Sequence, residues 1–344
     1  MVTSLFITFL GGCMSVGTKA DRNLQNRAVL GVLLMILGLA LYPLSDAFIK
    51  HLMGTYSVQQ ATLLRSFTRV IPLLITVLFQ GGFAKVFSTN HPARHLVRLA
   101  VSLAYTYCFM FAVKLGSLTM VYTFSYTSAF FMIVLSAFML KETISREKWI
   151  AVAIGIVGVV IAMKPGSNVF EAAAILVLLG SFLGSLNKIL MRRLAQTEHT
   201  LSIAIFPNIT MIIAASYFLF TPWRPFWLIE KFPFLYGNWI SMPLEHWGLF
   251  AIAGGIAAGG QYAIAQALRY AQGSTLAPID YSTILWVVLL DQFWWHKTQG
   301  LNMFIGAAVI VGSNLFILYR TRQEEAAKRA AALATAGIPT SDEK

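Results

Sequence analysis

One pattern occurs twice in this chain. Lys114 to Lys141 and Arg269 to Lys297 each open on a cation, cross a long apolar stretch and close on a lysine. A shift of 155 residues places Tyr126, Thr127 and Ser128 on Tyr281, Ser282 and Thr283. A repeat of this kind constrains the fold strongly: both halves share one topology, and a site used by both lies where they meet.

The solvent for these halves follows from how apolar they are. Hydrophobic residues are 57% and charged residues 12% of the 344 positions, more apolar side chain than a water-soluble fold can bury. A bilayer core of about 30 Å takes roughly 20 residues of helix. Runs of suitable length fall at Ala28–Ile49, Val58–Phe79, Leu96–Val113, Thr119–Met139, Trp149–Met163, Ala172–Leu190, Leu201–Phe220, Trp247–Leu268, Ser274–Trp294 and Met303–Leu318. The chain therefore reads as an all-α polytopic membrane protein with ten transmembrane helices. The domain reading is a cytoplasmic extension at 1–27, five-helix repeats at 28–168 and 169–319 and a cytoplasmic tail at 320–344, with an aromatic outer loop at 221–246 in the second repeat.

Lysine and arginine collect on the cytoplasmic side of membrane proteins. With both termini inside, seventeen of them fall in cytoplasmic segments, six outside and three within helices. Five helices is an odd number, so the second half enters the membrane upside down and the repeats are inverted. The formal charge of +12 is spread over these loops and the tail. That distribution fits topology signals and contact with the lipid bilayer, and it argues against a nucleic-acid partner, which would want a clustered patch with stacking aromatics. Cys13 and Cys108 have no metal-ligand spacing around them, so neither a disulfide nor a metal site is expected.

Leu5 to Leu10 is apolar but lacks a preceding cationic region, so residues 1–13 read as a dispensable extension ahead of Met14. Tryptophan and tyrosine settle at headgroup level, so the loop with Trp223, Trp227, Tyr236 and Trp239 reads as an interfacial segment, with a gating lid as the alternative. Arg320 to Leu333 reads as a charged, alanine-rich helix leaving the membrane, and Gly337 to Lys344 as disordered.

Ala277, Pro278, Ile279, Asp280, Tyr281, Ser282, Thr283, Ile284, Leu285 and Trp286 form an A-P-x-D-Y-[ST]-x-x-x-W run, preceded by Ala267, Leu268, Arg269, Tyr270 and Ala271. Ser45, Asp46, Ala47, Phe48, Ile49 and Lys50, followed by Arg65, add a D-A-x-x-K and an arginine, and Leu140, Lys141 and Glu142 an L-x-E. Together these resemble EamA-type members of the drug/metabolite transporter superfamily over Val29 to Arg320. The resemblance implies a carrier in the bacterial inner membrane, with no cofactor. Its small organic substrate would be amino-acid-, nucleoside- or vitamin-like, S-adenosylmethionine and riboflavin among them, or a drug, in either direction. It leaves monomer and homodimer both open. His296 and Lys297 depart from the family, which usually carries an acidic residue there.

A charge in hydrocarbon costs several kcal/mol unless partnered and so marks a site. Arg65 lies about 10 Å below the outer end of its helix and Arg69 one turn deeper. Arg65 reads equally as an anion-binding group or as half of a structural pair with Asp46 or Asp280, and Arg69 as structural. Asp280 sits about 9 Å into its helix, two positions after Pro278, a proline that frees a backbone carbonyl one turn earlier and locally opens the helix; it reads as a proton acceptor or ligand, with a cap or a pair to Arg65 as alternatives. Asp46 and Lys50 are spaced for an i,i+4 pair, although Asp46 also follows Pro43 toward a cavity. Lys188 reads as snorkelling. Tyr126 and Tyr281 occupy matching repeat positions and so should face each other across one cavity, suiting a planar or cationic substrate. Tyr105, Asn187, Gln261 and Trp286 complete the candidate substrate site, and Gly155, Gly158, Gly254, Gly255, Gly259, Gly260 and Gly306 read as close helix packing.

Other classes fit less well. The histidines lie in loops or at helix ends without an H-E-x-x-H or G-x-S-x-G, so the chain does not read as an enzyme. A channel would need a polar ring or carbonyl filter. A purely structural subunit would not need Arg65 and Asp280 in hydrocarbon.

Overall fold

A computed structural model describes residues 19–79, 89, 91–139, 144–163, 168–194, 198, 200–221, 236–270, 276 and 278–335. Residues 1–13, most of the aromatic loop, the Leu140–Glu142 motif, Ala277 and the last residues of the tail lie outside that set.

The described chain is all helical. It runs α1 (Lys19–Leu52), α2 (Val58–Phe79), α3 (Pro92–Leu115), α4 (Leu118–Ser125), α5 (Ser128–Met139), α6 (Arg146–Met163), α7 (Asn168–Leu194), α8 (Thr200–Phe220), α9 (Leu244–Tyr270), a 3₁₀ turn at Ile279–Ser282, α10 (Thr283–Trp295) and α11 (Leu301–Thr335). In hydrocarbon a backbone must satisfy its own polar groups, which leaves the helix as the default for such apolar sequence. Five described helices are long and apolar enough to cross a membrane: Val29–Leu52, Pro92–Leu115, Leu118–Met139, Ala172–Met191 and Leu301–Glu324. Large apolar side chains also cover the outside, Leu33 at 58%, Ile213 at 64% and Phe293 at 79% exposed among them. A surface of that kind suits lipid and not water.

Two expected spans are broken, and only one break was foreseen. The span with Pro278 enters through the 3₁₀ turn before α10, as a proline that cannot donate to the preceding turn predicts. The run Thr119–Met139 is interrupted between α4 and α5 at Tyr126 and Thr127, with neither Pro nor Gly there. Side chains from the break itself and from other helices satisfy the freed carbonyls: the Thr127 hydroxyl donates to the Phe124 carbonyl at 2.6 Å and that of Ser181 at 3.2 Å. Ser185 donates to the Ser128 carbonyl at 2.7 Å and Asn314 Nδ2 to the Tyr126 carbonyl at 3.0 Å.

α1 packs on α9, α3 on α7, α2 on α8 and α9, α6 on α11, and α4 on both α7 and α10. Small residues let several of these backbones approach. A methyl on Gly158 would lie 3.1 Å from the Gly306 carbonyl oxygen, and one on Gly260 3.2 Å from that of Gly38. Gly155 likewise meets Phe130 and Gly254 meets Thr68. Gly255 faces open space and Gly259 only touches Leu41 at 4.0 Å, so these two do not serve packing.

The main core runs along the bundle, from Ile49, Leu52, Met53, Val113, Leu118 and Phe250 at the Lys50 end through Phe124 and Phe130 to Ile133, Val152 and Ile317 near Lys148. A separate small cluster buries Met35, Leu39, Ala267 and Leu276. Trp239 rests on Trp247 and Phe220, and Gln60 exchanges hydrogen bonds with the Ile240 backbone, which fixes the described end of the aromatic loop onto α2.

Candidate functional site

The two helix breaks meet at the centre of the molecule. The Tyr126 hydroxyl donates to the Asp280 carbonyl at 2.7 Å, where Thr283 Oγ1 also donates at 2.8 Å, so the loosened turn after Pro278 is held by α4 and by its own helix. Tyr126 and Tyr281 rings lie 4.8 Å apart. They touch, where the repeat pattern predicts that they face each other across a cavity; the breaks bring the matched positions into contact instead.

A cavity of about 380 Å³ opens beside them, lined by Tyr42, Tyr105, Tyr122, Tyr126, Asn187 and Asp280 together with Ser125, Ser128, Ser181, Lys188 and Thr283. A second, of about 600 Å³, lies toward the Lys148 end and is lined by Asp280, Tyr281, Asn314, Lys148 and Thr321, among others. Asp280 borders both. Its carboxylate enters no ion pair among the described residues, which removes the pair with Arg65.

Arg65 is instead committed to Asp46. Its Nη2 donates to Asp46 Oδ1 at 2.6 Å, its Nη1 lies 3.2 Å from Met110 Sδ, and Phe109 lies below the guanidinium with its ring centroid at 5.9 Å. The Tyr122 hydroxyl donates to the other Asp46 oxygen at 2.7 Å. Tyr122 is on α4 and Tyr126 is the residue that caps it four positions later, so this end of α4 links the arginine pair to the Asp280 break. Asp46 is 2% exposed, as a carboxylate in hydrocarbon must be when its charge is met by two partners.

The expected i,i+4 pair between Asp46 and Lys50 does not form. Lys50 Nζ donates to the Gly116 carbonyl at 2.6 Å, lies 3.9 Å from Asp291 and sits 4.7 Å from the Trp295 ring centroid. Asp291 is fully buried and accepts from the Leu118 and Thr119 backbone N–H groups at 3.1 and 2.7 Å. A carboxylate on the free N–H groups of a helix start is a strong arrangement, and it ties α10 to α4 at the Lys50 end. Phe48 packs edge-on against Trp294 at 4.9 Å beside it. The sequence reading passed over Asp291, whose one signal was a carboxylate deep in an apolar run. The Lys148 end is joined differently: Lys148 donates to Glu324 at 2.6 Å and Arg320 pairs with Glu147, both at the membrane exit of α11.

Among the remaining candidates, Tyr105 and Asn187 line the central cavity, with Asn187 Oδ1 buried and lacking a hydrogen-bond partner. Tyr281 lines the larger cavity. Gln261 is exposed on α9 and Trp286 half-buried on α10, and neither lines these cavities, because each sits on a side of its helix turned from the centre. Lys188 lines the cavity near Asp280, where a free snorkelling lysine was expected. Among the described residues no group of three or more His, Cys, Asp or Glu could hold a metal ion.

The profile of the EamA-like transporter family matches residues 29–164 and 171–319. A riboflavin transporter of Brucella anthropi is 24% identical over 81% of this chain and 94% of its own length. An S-adenosylmethionine uptake transporter of Rickettsia prowazekii is 19% identical over 87% and 95%. A solved crystal structure of 16% identity covers 86% of this chain and 99% of its own, with a TM-score of 0.53, a likeness of fold.

Proposed function

This chain belongs to the EamA-like transporter family, and on that premise we propose that it moves a small organic metabolite across the bacterial inner membrane by alternating access. The observation that supports this most is Asp280: one intramembrane carboxylate, at a helix break, borders both the central cavity and the one leading to the Lys148 end. Discontinuous helices near a midplane cavity are where secondary carriers hold their cargo.

Ten spans in two inverted repeats give this mechanism its symmetry. Advancing each span by five carries the packing of α1 on α9 onto α7 on α3, and that of α1 on α10 onto α7 on α4 and α5. α2 on α9 likewise maps onto α8 on α3, while α2 on α8 and α6 on α11 map onto themselves. The cation distribution favours cytoplasmic termini. In that orientation the Lys50 end, where Asp291 joins α10 to α4, is outside, and the 600 Å³ cavity lies on the cytoplasmic side, as an inward-facing state would have it.

The cargo site is assigned to Tyr105, Tyr126, Asn187 and Asp280, with Asp46 and Arg65 behind the wall formed by Tyr122. Riboflavin and S-adenosylmethionine, named for relatives, set the class: a metabolite with an aromatic ring system, stacking on tyrosines. The test is uptake into proteoliposomes holding the purified protein. Asp280→Asn that inserts and melts like the parent yet transports at the parent's rate would remove Asp280 from the mechanism.

A further inference from the structure

The central cavity carries two opposite charges that do not meet. Asp280 and Lys188 both line it, yet neither enters an ion pair among the described residues. Asn187 lines the same space, and its Oδ1 is a buried acceptor without a hydrogen-bond partner.

Lys188 borders this cavity because of how α7 is seated. Ser181, Gly184 and Lys188 fall at i, i+3 and i+7 on one stripe of α7, and all three line the cavity. The Ser181 hydroxyl fastens that stripe to the broken end of α4 through the Phe124 carbonyl at 3.2 Å. A methyl on Gly184 would lie 3.1 Å from the Tyr105 ring, so the missing side chain lets the tyrosine of α3 lie against the same stripe. Lys188 continues the stripe one turn further, while Asp280 arrives from the 3₁₀ turn before α10. A snorkelling lysine extends away from the centre; this one lines the centre together with Tyr105 and Tyr122.

Separated charges in one cavity select what enters it. Dehydrating an ammonium and a carboxylate is costly unless each meets a counter-charge. A neutral cargo would strip water from both and replace it for neither, and a cargo with a single charge would leave one of them unmet. A zwitterion meets both and brings no net charge into the membrane.

We propose that Lys188 binds a carboxylate of the cargo while Asp280 binds its ammonium group, with Asn187 Oδ1 as a second acceptor for that ammonium and the cargo's ring on the tyrosines. This rests on the carrier reading and narrows it to zwitterions. It also gives a binding role to a lysine that the sequence reads as snorkelling.

The test uses the purified full-length protein and two ring series. L-tryptophan is compared with tryptamine, which lacks the carboxylate, and with indolepropionate, which lacks the ammonium; S-adenosylmethionine is compared with methylthioadenosine, which lacks both. Each is titrated for thermal stabilisation and assayed for uptake into proteoliposomes. At least one zwitterion should bind roughly 10- to 100-fold more tightly than its truncated partners, the worth of a charge-assisted contact. In Lys188→Met that zwitterion should weaken by the same factor while the probes without a carboxylate are unchanged, and Lys188→Arg should retain most of the binding. In Asp280→Asn the probes without an ammonium should be the unchanged ones. Without any probe, Lys188→Met should melt close to the parent, since it breaks no ion pair. A loss for tryptamine in Lys188→Met as large as that for tryptophan makes the lysine structural and ends the proposal. Parental binding restored in the Lys188→Met, Asp280→Asn double variant makes the two residues each other's counter-ion and ends it as well, as does the absence of any response to both zwitterions. Uptake of truncated probes as fast as their zwitterions refutes the proposal and leaves the carrier standing. Zwitterion-selective stabilisation through Lys188 with no uptake of any probe does the reverse.

Discussion

The pairing of Arg65 with Asp46 makes a quantitative demand on a double-mutant cycle. The guanidinium and carboxylate touch at 2.6 Å, and their side chains are 11% and 3% exposed. With charge centres about 4 Å apart and an effective dielectric near 20, the attraction is roughly 4 kcal/mol, set against the desolvation of both groups. Arg65→Met leaves Asp46 held by Tyr122 alone, and Asp46→Leu leaves Arg65 and the Tyr122 hydroxyl unmet. Each single change should therefore cost on the order of 3–5 kcal/mol of folding stability. The double change strands no carboxylate and should recover a coupling of about 2–3 kcal/mol. The assay is denaturant titration of purified protein in mixed micelles, read by tryptophan fluorescence. Additivity within about 0.5 kcal/mol would refute the pairing, and so would recovery of Arg65→Met by Asp280→Asn.

Three further outcomes follow from the packing. Asp291→Ala should lose on the order of 3 kcal/mol, since it uncovers the start of α4 and deprives Lys50 of its counter-charge; a melting change equivalent to under about 1 kcal/mol would count against this role. Gly158→Leu should cost roughly 1–3 kcal/mol or more by wedging α6 from α11, while Gly255→Ala, facing open space, should be neutral or stabilising by up to about 1 kcal/mol; equal effects would show that neither contact matters. Reporter fusions should place Arg146 and Thr197 in the cytoplasm and Tyr236 outside, and a cytoplasmic Tyr236 would break the ten-span topology.

The helical class and the five long apolar helices were legible because hydropathy over about 20 residues is a strong, local signal. The break after Pro278 was legible too, since proline acts on its own turn. The break at Tyr126 and Thr127 was not: its cause lies in Ser181 and Ser185 on α7 and Asn314 on α11, whose hydrogen bonds exist only once three distant helices are side by side. Asp46 was one of the two carboxylates expected for Arg65 and is its partner, but the expected pair of Asp46 with Lys50 failed for the same reason. Asp46 and Lys50 are neighbours by spacing, yet each finds a better partner through the fold, Asp46 across to α2 and Lys50 across to α10. Local spacing supplies a few tenths of a kcal/mol, and a buried contact with two or three hydrogen bonds outweighs it.

The same comparison separates the site candidates that border the cavities from those that do not. Residues read from the broken segment, Tyr126, Asp280 and Tyr281, do border the cavities, because a break exposes side chains wherever it falls. Of those read from polarity alone, Tyr105 and Asn187 line the central cavity and Gln261 and Trp286 line neither, because polarity in a helix does not say which side faces inward. Arg65 and Arg69 differ in no property visible in sequence; both are arginines on one face of one helix. Only the position of a single carboxylate one helix away separates them, since Asp46 has two oxygens and gives one to Arg65 and one to Tyr122. With both oxygens taken, Arg69 makes no ion pair among the described residues, a difference set by the neighbouring helices and not by anything in the sequence of α2 itself.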